Sequence, residues 1–303
     1  MPPRVHFAAA AVALIAALAA HAQDIEPRQF SNTPVGVNFL LAGYAYTRGG
    51  LSFDPSLPIA DAHLHTSNAL FAYARGLDLW GLSGKFDAVV PYTWLSGSAQ
   101  FVGQPIDRVV SGFGDPAFRL SVNFYGAPAL TLKEFRDYRQ DLIIGGSLQI
   151  FVPLGQYDSS KVVNIGAHRW AFKPEFGASK AIDPWTFELM GAATFFTSND
   201  DFYGGHERTQ DPVYSVQGHA IYNFPSGMWA AVDATYYWGG KSYVDGEQSG
   251  DELKNWRYGA TLVFPVDVQN SVKLYATNGI SARTGTNYAL VGALWQYRWG
   301  GGL

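Results

Sequence analysis

One short run contains the residue types that a serine hydrolase uses. His65-Thr66-Ser67-Asn68 supplies a hydroxyl, an imidazole and an amide within four positions. A Ser67 nucleophile with His65 as base and Asn68 as orienting group is chemically coherent. Four small polar residues also occur together by chance at the start of a strand. We therefore keep hydrolysis as a minor alternative and assign no catalytic residue.

A larger group of charged side chains shares the polar face of alternating apolar and polar runs. Such a set can line a wet lumen and select solutes, or it can form paired charges that fill and stiffen the interior. Acids and bases are mixed, so neither anions nor cations are strongly favoured. The candidate lumen-facing residues are Arg119, Arg169, Lys173, Glu175, Glu188, His219, Asp233, Arg257 and Arg298.

Aromatic side chains offer a second type of lining, because a ring can stack against an apolar or aromatic solute. The candidates for such a path are Tyr44, Tyr125, Phe151, Phe196, Tyr237 and Tyr275. Packing and interfacial positions are the commoner explanation for aromatic residues.

Two acidic clusters have the oxygen-rich composition that a hard cation prefers. They are Asn199-Asp200-Asp201 and Asp251-Glu252, both in expected loops. Solvated loop acids are the commoner explanation, and an EF-hand spacing is missing. We expect no metal and no cofactor.

The elements that position these residues are long strands. In residues 141–201, three runs alternate between apolar and polar side chains for about a dozen residues each, as Leu142, Ile144, Leu148 and Ile150 illustrate. Soluble strands are commonly about 5–6 residues long, whereas a strand that crosses a bilayer needs about 9–11. A tight turn at 182–184 and a longer loop at 156–167 alternate, as expected for an outer-membrane barrel.

The same alternation continues along the chain and predicts about twelve strands. The fold class is therefore all-β, a transmembrane antiparallel up-and-down β-barrel over residues 34–303. Residues 126–140 break the short-turn rule, and 129–139 can form a short helix at the rim. A soluble β-sandwich is disfavoured, because the outward faces carry too many large apolar residues for a sheet with one face in water.

Composition agrees with a barrel. The chain has 303 residues, of which only 15% are charged and 15% are aromatic, with 33 glycines. Soluble domains usually carry about a quarter charged residues. The net charge of −4 gives no electrostatic support to a nucleic-acid partner. The absence of cysteine excludes disulfides and cysteine-based metal sites.

The first residues have the pattern of a secretory signal peptide. Arg4 precedes an apolar run over 8–20, and Ala20-His21-Ala22 matches an A-x-A cleavage site. We predict a signal peptide at 1–22 and a polar periplasmic lead-in at 23–33. A membrane-anchor helix is the alternative, but the apolar run is shorter than the roughly 20 residues of a span.

Several segments together resemble the MetA-pathway phenol-degradation family. They are VPLGQYD (152–158), NIGAHRWAFKPEFG (164–177), TSNDDFYGG (197–205), YYWGGKSYVDG (236–246) and GDP (114–116). The resemblance implies an outer-membrane protein that passes small aromatic or hydrophobic compounds. It carries no catalytic or ligand motif to individual residues. We expect a monomer in the cell outer membrane whose partners are membrane lipid and a small solute, not nucleic acid.

Two alternatives remain. A structural or adhesive barrel would bind an outside partner through its loops. The His65 to Asn68 run also resembles the active-site run of outer-membrane phospholipase A, another twelve-strand barrel. Ala69 stands where that enzyme has a glycine, and the rest of the chain does not resemble it.

Overall fold

A computed structural model describes residues 26–50, 59–101, 103–281 and 287–303. In these ranges no helix has the length and apolar character needed to cross a membrane. The strands in chain order are β1 Val37–Gly50, β2 Ile59–Leu79, β3 Leu82–Phe101, β4 Gln104–Phe113, β5 Ala117–Tyr125, β6 Leu142–Phe151, β7 Ala171–Ile182, β8 Trp185–Phe196, β9 Asn199–Phe202, β10 His206–Gln210, β11 Val213–Asn223, β12 Trp229–Gly239, β13 Ser242–Val244, β14 Glu247–Gln248, β15 Leu253–Pro265, β16 Asn270–Ser281 and β17 Asn287–Gly300. The helix α1 spans Leu132–Phe135.

The twelve-strand antiparallel barrel is confirmed. Its wall follows the order β1, β2, β3, β5, β6, β7, β8, β11, β12, β15, β16 and β17. The first and last strands pair from Val37↔Gly300 to Gly50↔Asn287, and this pairing closes the sheet. Closure leaves these two strands without an open edge. Short turns face the periplasm in such barrels, so the end that carries Val37 is the periplasmic end.

The outer surface is an apolar band between two aromatic girdles. On the extracellular side, Tyr236 lies 4.9 Å from Trp256, measured between ring centroids. On the periplasmic side, Trp185 and Tyr222 lie 5.0 Å apart. Exposed aliphatic side chains such as Leu189 lie between the girdles. This arrangement matches the lipid-facing surface of outer-membrane barrels.

One wall strand is interrupted. The periplasmic half of β3 pairs with β5, and its extracellular half pairs with β4. Residues 114–116 separate β4 from β5. On the side away from β3, β4 pairs with no described strand. Coil residues lie beside it instead, where the Gln156 amide donates to Phe113 at 2.7 Å.

Two expected extracellular loops contain strands. The segments at 199–211 and 239–254 form a separate sheet in the order β14, β13, β10, β9. Asp245 accepts from the backbone amide of Glu207 at 2.9 Å, so the two loops are tied to each other. Strands of two to five residues carry too little alternation to be recognised from sequence.

The periplasmic connection at 126–140 contains the expected short helix. Thr131 caps α1, and Glu134 bonds back to the Thr131 backbone, which completes a capping box. The connection also holds the start of the barrel, because the Val35 amide donates to the Leu130 carbonyl at 2.8 Å.

The interior is not uniformly polar, which differs from the polar-inside pattern expected from sequence. Strands β1, β2 and β17, with one residue of β3, send apolar side chains inward. This apolar wall consists of Val37, Phe39, Leu41, Ala45, Leu70, Ala72, Ala74, Val89, Tyr288, Leu290 and Leu294. Both faces of β1 are apolar, because Leu40, Tyr44 and Tyr46 point outward. Successive side chains of β1 still point alternately inward and outward, but they do not alternate between apolar and polar.

Candidate functional site: the barrel interior

Charged residues concentrate on the side of the interior opposite the apolar wall. This charged wall consists of Lys85, Asp87, Arg119, Lys173, Glu175, Glu188, His219 and Asp233, all buried. Lys173 lies 3.6 Å from Glu175, and Lys85 lies 3.8 Å from Asp87. His219 and Asp233 are cross-strand neighbours on β11 and β12 and bond through the imidazole Nδ1. Burial of this many charges requires pairing, since an isolated buried ion is costly.

The N-terminal segment lies inside the barrel rather than in the periplasm, where the sequence had placed the lead-in. We call residues 26–33 the N-terminal plug. Glu26 forms an ion pair with Arg119 and accepts from its second guanidinium nitrogen at 2.9 Å. On a different part of the wall, the Glu26 amide donates to Gln217 at 2.9 Å. A single residue thus joins β5 to β11 across the lumen.

Further bonds hold the plug at its centre. The Arg28 amide donates to the Glu188 carboxylate at 2.6 Å, and its guanidinium bonds Asn223 and lies 4.8 Å from the ring centroid of Trp229. Gln29 donates to Ser147 at 3.0 Å. The plug therefore supplies hydrogen-bond partners to the charged wall at Arg119 and Glu188.

Phe30 anchors the plug in a slot made by two glycines. Gly145 and Gly177 are cross-strand partners on β6 and β7. A Cβ atom at Gly145 would lie 2.6 Å from Phe30, and one at Gly177 would lie 2.5 Å from it. Glycine inside a strand often marks such a close approach. Ile143 and Met190 pack against the same ring.

The remaining candidate residues lie outside the charged wall. Arg169 is buried near the extracellular end, 4.4 Å from the ring centroid of Phe196, and bonds Gln210 at 2.5 Å. Arg257 is buried on β15. Arg298 is only partly buried and donates to the Val268 carbonyl at the periplasmic turn. The structure therefore brings six of the nine candidates into the charged wall and leaves these three apart.

Of the six aromatic candidates, some lie inside the barrel and others lie on its outer surface. Phe151 and Tyr237 are buried inside. Phe196 packs beside them, and Tyr275 packs against the apolar wall. Tyr44 and Tyr125 are exposed, so their assignment to a lumen path was wrong. The error at Tyr44 follows from β1, where both faces are apolar.

The possible hydrolase residues do not assemble. His65 bonds Tyr46 at 3.1 Å, and Ser67 accepts from Tyr44 at 2.7 Å, on the outer face of β2. Asn68 is buried on the opposite face and donates to the Ala45 carbonyl at 3.1 Å. Consecutive residues of a strand point to opposite faces, so Asn68 does not orient His65.

The acidic loop residues serve the extracellular sheet. Asn199 donates to Tyr157 at 3.0 Å, and Asp251 is buried and accepts from the Ser242 amide at 3.0 Å. In the described ranges, no three metal-ligating side chains converge. The Glu207 amide and the His206 side chain hold the pKa of Asp245 below its usual value.

The sequence matches the family "Putative MetA-pathway of phenol degradation" over residues 47–296, and the chain belongs to this family. It is similar in structure to the COG4313 outer membrane channel from Pseudomonas putida F1, with 18% identity and a TM-score of 0.75 over 91% of this chain and 100% of that one. It also resembles the Pseudomonas putida toluene transporter TodX, with 8% identity and a TM-score of 0.48 over 89% of this chain and 92% of that one. A comparison with curated proteins found no match.

Proposed function

We propose that the protein is an outer-membrane channel through which small hydrophobic or aromatic compounds diffuse down their gradient. It would act as a monomer without a cofactor, after export through a cleaved signal peptide at 1–22. The observation that carries the proposal is the apolar wall, which extends along the interior from Val37 near the periplasmic end to Tyr288 near the extracellular end. A channel for ions or sugars has no use for an interior surface of this kind, whereas an apolar solute gains free energy on it.

Family membership supports the solute class. The family is described by a phenol-degradation pathway, and bacteria that degrade phenols must first admit small aromatic molecules. In the described structure, apolar side chains lie on one side of the interior and hydrogen-bonding groups on the other.

The plug determines how much of the interior is open. It occupies the charged side, where Glu26 forms an ion pair with Arg119 and the Arg28 backbone amide donates to Glu188. Solutes would therefore pass beside the plug along the apolar wall, or leave sideways at the unpaired edge of β4. Among the described strands of this sheet, β4 pairs with β3 alone.

Solute flux into proteoliposomes tests the proposal. Vesicles that contain the refolded, heat-modifiable protein should take up phenol or toluene faster than vesicles without protein. Sucrose should enter both at the same rate. Equal rates for the aromatic solutes with and without protein would refute the proposed function.

A further inference from the structure

Arg257 is a buried cation on the lumen face that forms no ion pair within the described part of the chain. The residue is 1% exposed. One guanidinium nitrogen, Nη2, donates to Thr277 at 2.6 Å. The other terminal nitrogen, Nη1, is buried and makes no hydrogen bond. The ion pairs found in the described ranges do not include Arg257.

Three other basic residues of the interior have an acidic partner. Arg119 pairs with Glu26, Lys173 with Glu175 and Lys85 with Asp87. A buried charge without a partner is costly, and buried polar atoms in folded proteins nearly always have a partner. An anion bound at Arg257 would both accept from this free N–H and supply the missing ion-pair partner.

The surroundings of Arg257 define what would fit. The guanidinium carbon lies 3.8 Å from the ring centroid of Tyr288, which belongs to the apolar wall. Thr235 is directly opposite on β12, and Asp233 and Tyr237 are the two diagonal neighbours. Asp233 is already paired with His219. Side chains directly opposite on paired strands have Cβ atoms about 4.5–5.5 Å apart.

Thr235 supplies a second buried hydrogen-bond donor without a partner. Its side chain is fully buried, and its hydroxyl has no hydrogen-bond partner. Two unused donors thus face the lumen from neighbouring positions, with buried tyrosines on two sides. Two donors, one of them charged, suit the two oxygens of a carboxylate.

We propose that Arg257 and Thr235 form a binding site for a small aromatic anion, with the carboxylate or phenolate oxygen on Arg257 Nη1 and the Thr235 hydroxyl and the ring against Tyr288 and Tyr237. This proposal rests on the proposed function, because it places the site on the solute route. It narrows the solute class from aromatic compounds in general to those that bear an anionic oxygen.

Direct binding tests the site. Titration of the folded wild-type protein in detergent with benzoate, followed by calorimetry, should show saturable binding. Arg257→Gln should weaken benzoate binding by about tenfold or more, because it removes a charge-assisted hydrogen bond. Thr235→Val should weaken it less. Acetate lacks the ring and should bind poorly to every variant.

Arg136→Gln is the matched control, since it removes one positive charge from an exposed position at the periplasmic rim. It should bind benzoate as the wild type does. Heat-modifiable migration of each variant shows that the barrel has folded. Absence of benzoate binding to the wild type, or equal binding to Arg257→Gln, would overturn the site. Benzoate binding without any aromatic flux would instead refute the proposed function and leave the site in place.

Discussion

At the scale of single residues, the Glu26–Arg119 ion pair is one of the contacts that hold the plug in the lumen. Both side chains are buried, and Glu26 is the plug residue that also reaches β11. Removal of one partner from a buried ion pair costs about 3–5 kcal/mol, because the other charge is left uncompensated. Without the Glu26 carboxylate, the buried Arg119 guanidinium would lose its ion-pair partner.

Glu26→Gln should therefore loosen the plug and raise single-channel conductance in planar bilayers. Glu207→Gln is the control, since Glu207 is exposed on the extracellular side and its replacement makes the same change in charge. Identical conductance for the two variants would show that the Glu26 charge does not hold the plug.

Phe30 and Gly177 provide a second test of the plug. Gly177→Ala places a methyl group 2.5 Å from the Phe30 ring, and overpacking of this kind costs about 1–3 kcal/mol. The cost should fall when Phe30→Ala is already present, because the clash with the ring is then removed and only the contact with the flexible Met190 side chain, at 2.8 Å, remains. A double-mutant cycle on urea unfolding in lipid vesicles measures the coupling.

Gly191→Ala is the control for that cycle. Gly191 also lies inside a wall strand, but the nearest atom to its added Cβ is 3.9 Å away. It should change stability little in either background. Additive effects of Gly177→Ala and Phe30→Ala would contradict the slot.

At the scale of elements, the extracellular sheet should depend on pH through Asp245. Its pKa is lowered, first by the backbone amide of Glu207 and then by His206. A lowered pKa in the folded state means that the stabilisation is present above the ordinary value of about 3.9 and is lost as the pH falls through the lowered value. Amide hydrogen exchange in 206–210 and 242–248 should accelerate over that acidic range.

Asp245→Asn is the test of the cause. The variant should show faster exchange in these strands at neutral pH and little further change on acidification. An acid-induced change of the same size in the variant would mean that another group controls the sheet.

The elements also show how far the sequence was informative. Alternation over a dozen residues fixed the wall strands, because a lipid-facing side must be apolar at every second position. Residues 26–33 offered no such pattern, and their burial depends on partners more than 90 positions away, such as Arg119. The sequence feature that could have indicated the plug is the pair Gly145 and Gly177. Glycine weakens a strand, so its presence there often marks a close approach by another part of the chain.

The interior site was also predicted only in part from the sequence. Acid and base residues on polar faces were found from alternation, and six of them belong to the charged wall, which also contains Lys85 and Asp87. Which charges pair could not be predicted, because pairing depends on the register between strands and on the plug. The sequence identified Arg257 as lumen-facing. Only the structure shows that its contacts are Thr277 and Tyr288, and that it forms no ion pair in the described ranges.

At the scale of the whole molecule, the girdles and the apolar band place the barrel across a bilayer, and this placement predicts a dependence on depth. Leu189 is 63% exposed near the middle of β8, between the girdles. An arginine on the lipid face costs about 2–4 kcal/mol at the bilayer midplane and about 0–1 kcal/mol near the interface.

Leu189→Arg should therefore lower the free energy of unfolding in vesicles by about 2–4 kcal/mol. Val109→Arg should change it by about 1 kcal/mol or less, because Val109 is 82% exposed on β4, beyond the extracellular girdle residue Trp94. Tryptophan fluorescence during urea unfolding measures both. Since the two residues are similarly exposed in the structure, a barrel surrounded by water would penalise them equally. Only a bilayer that covers Leu189 and leaves Val109 outside separates them.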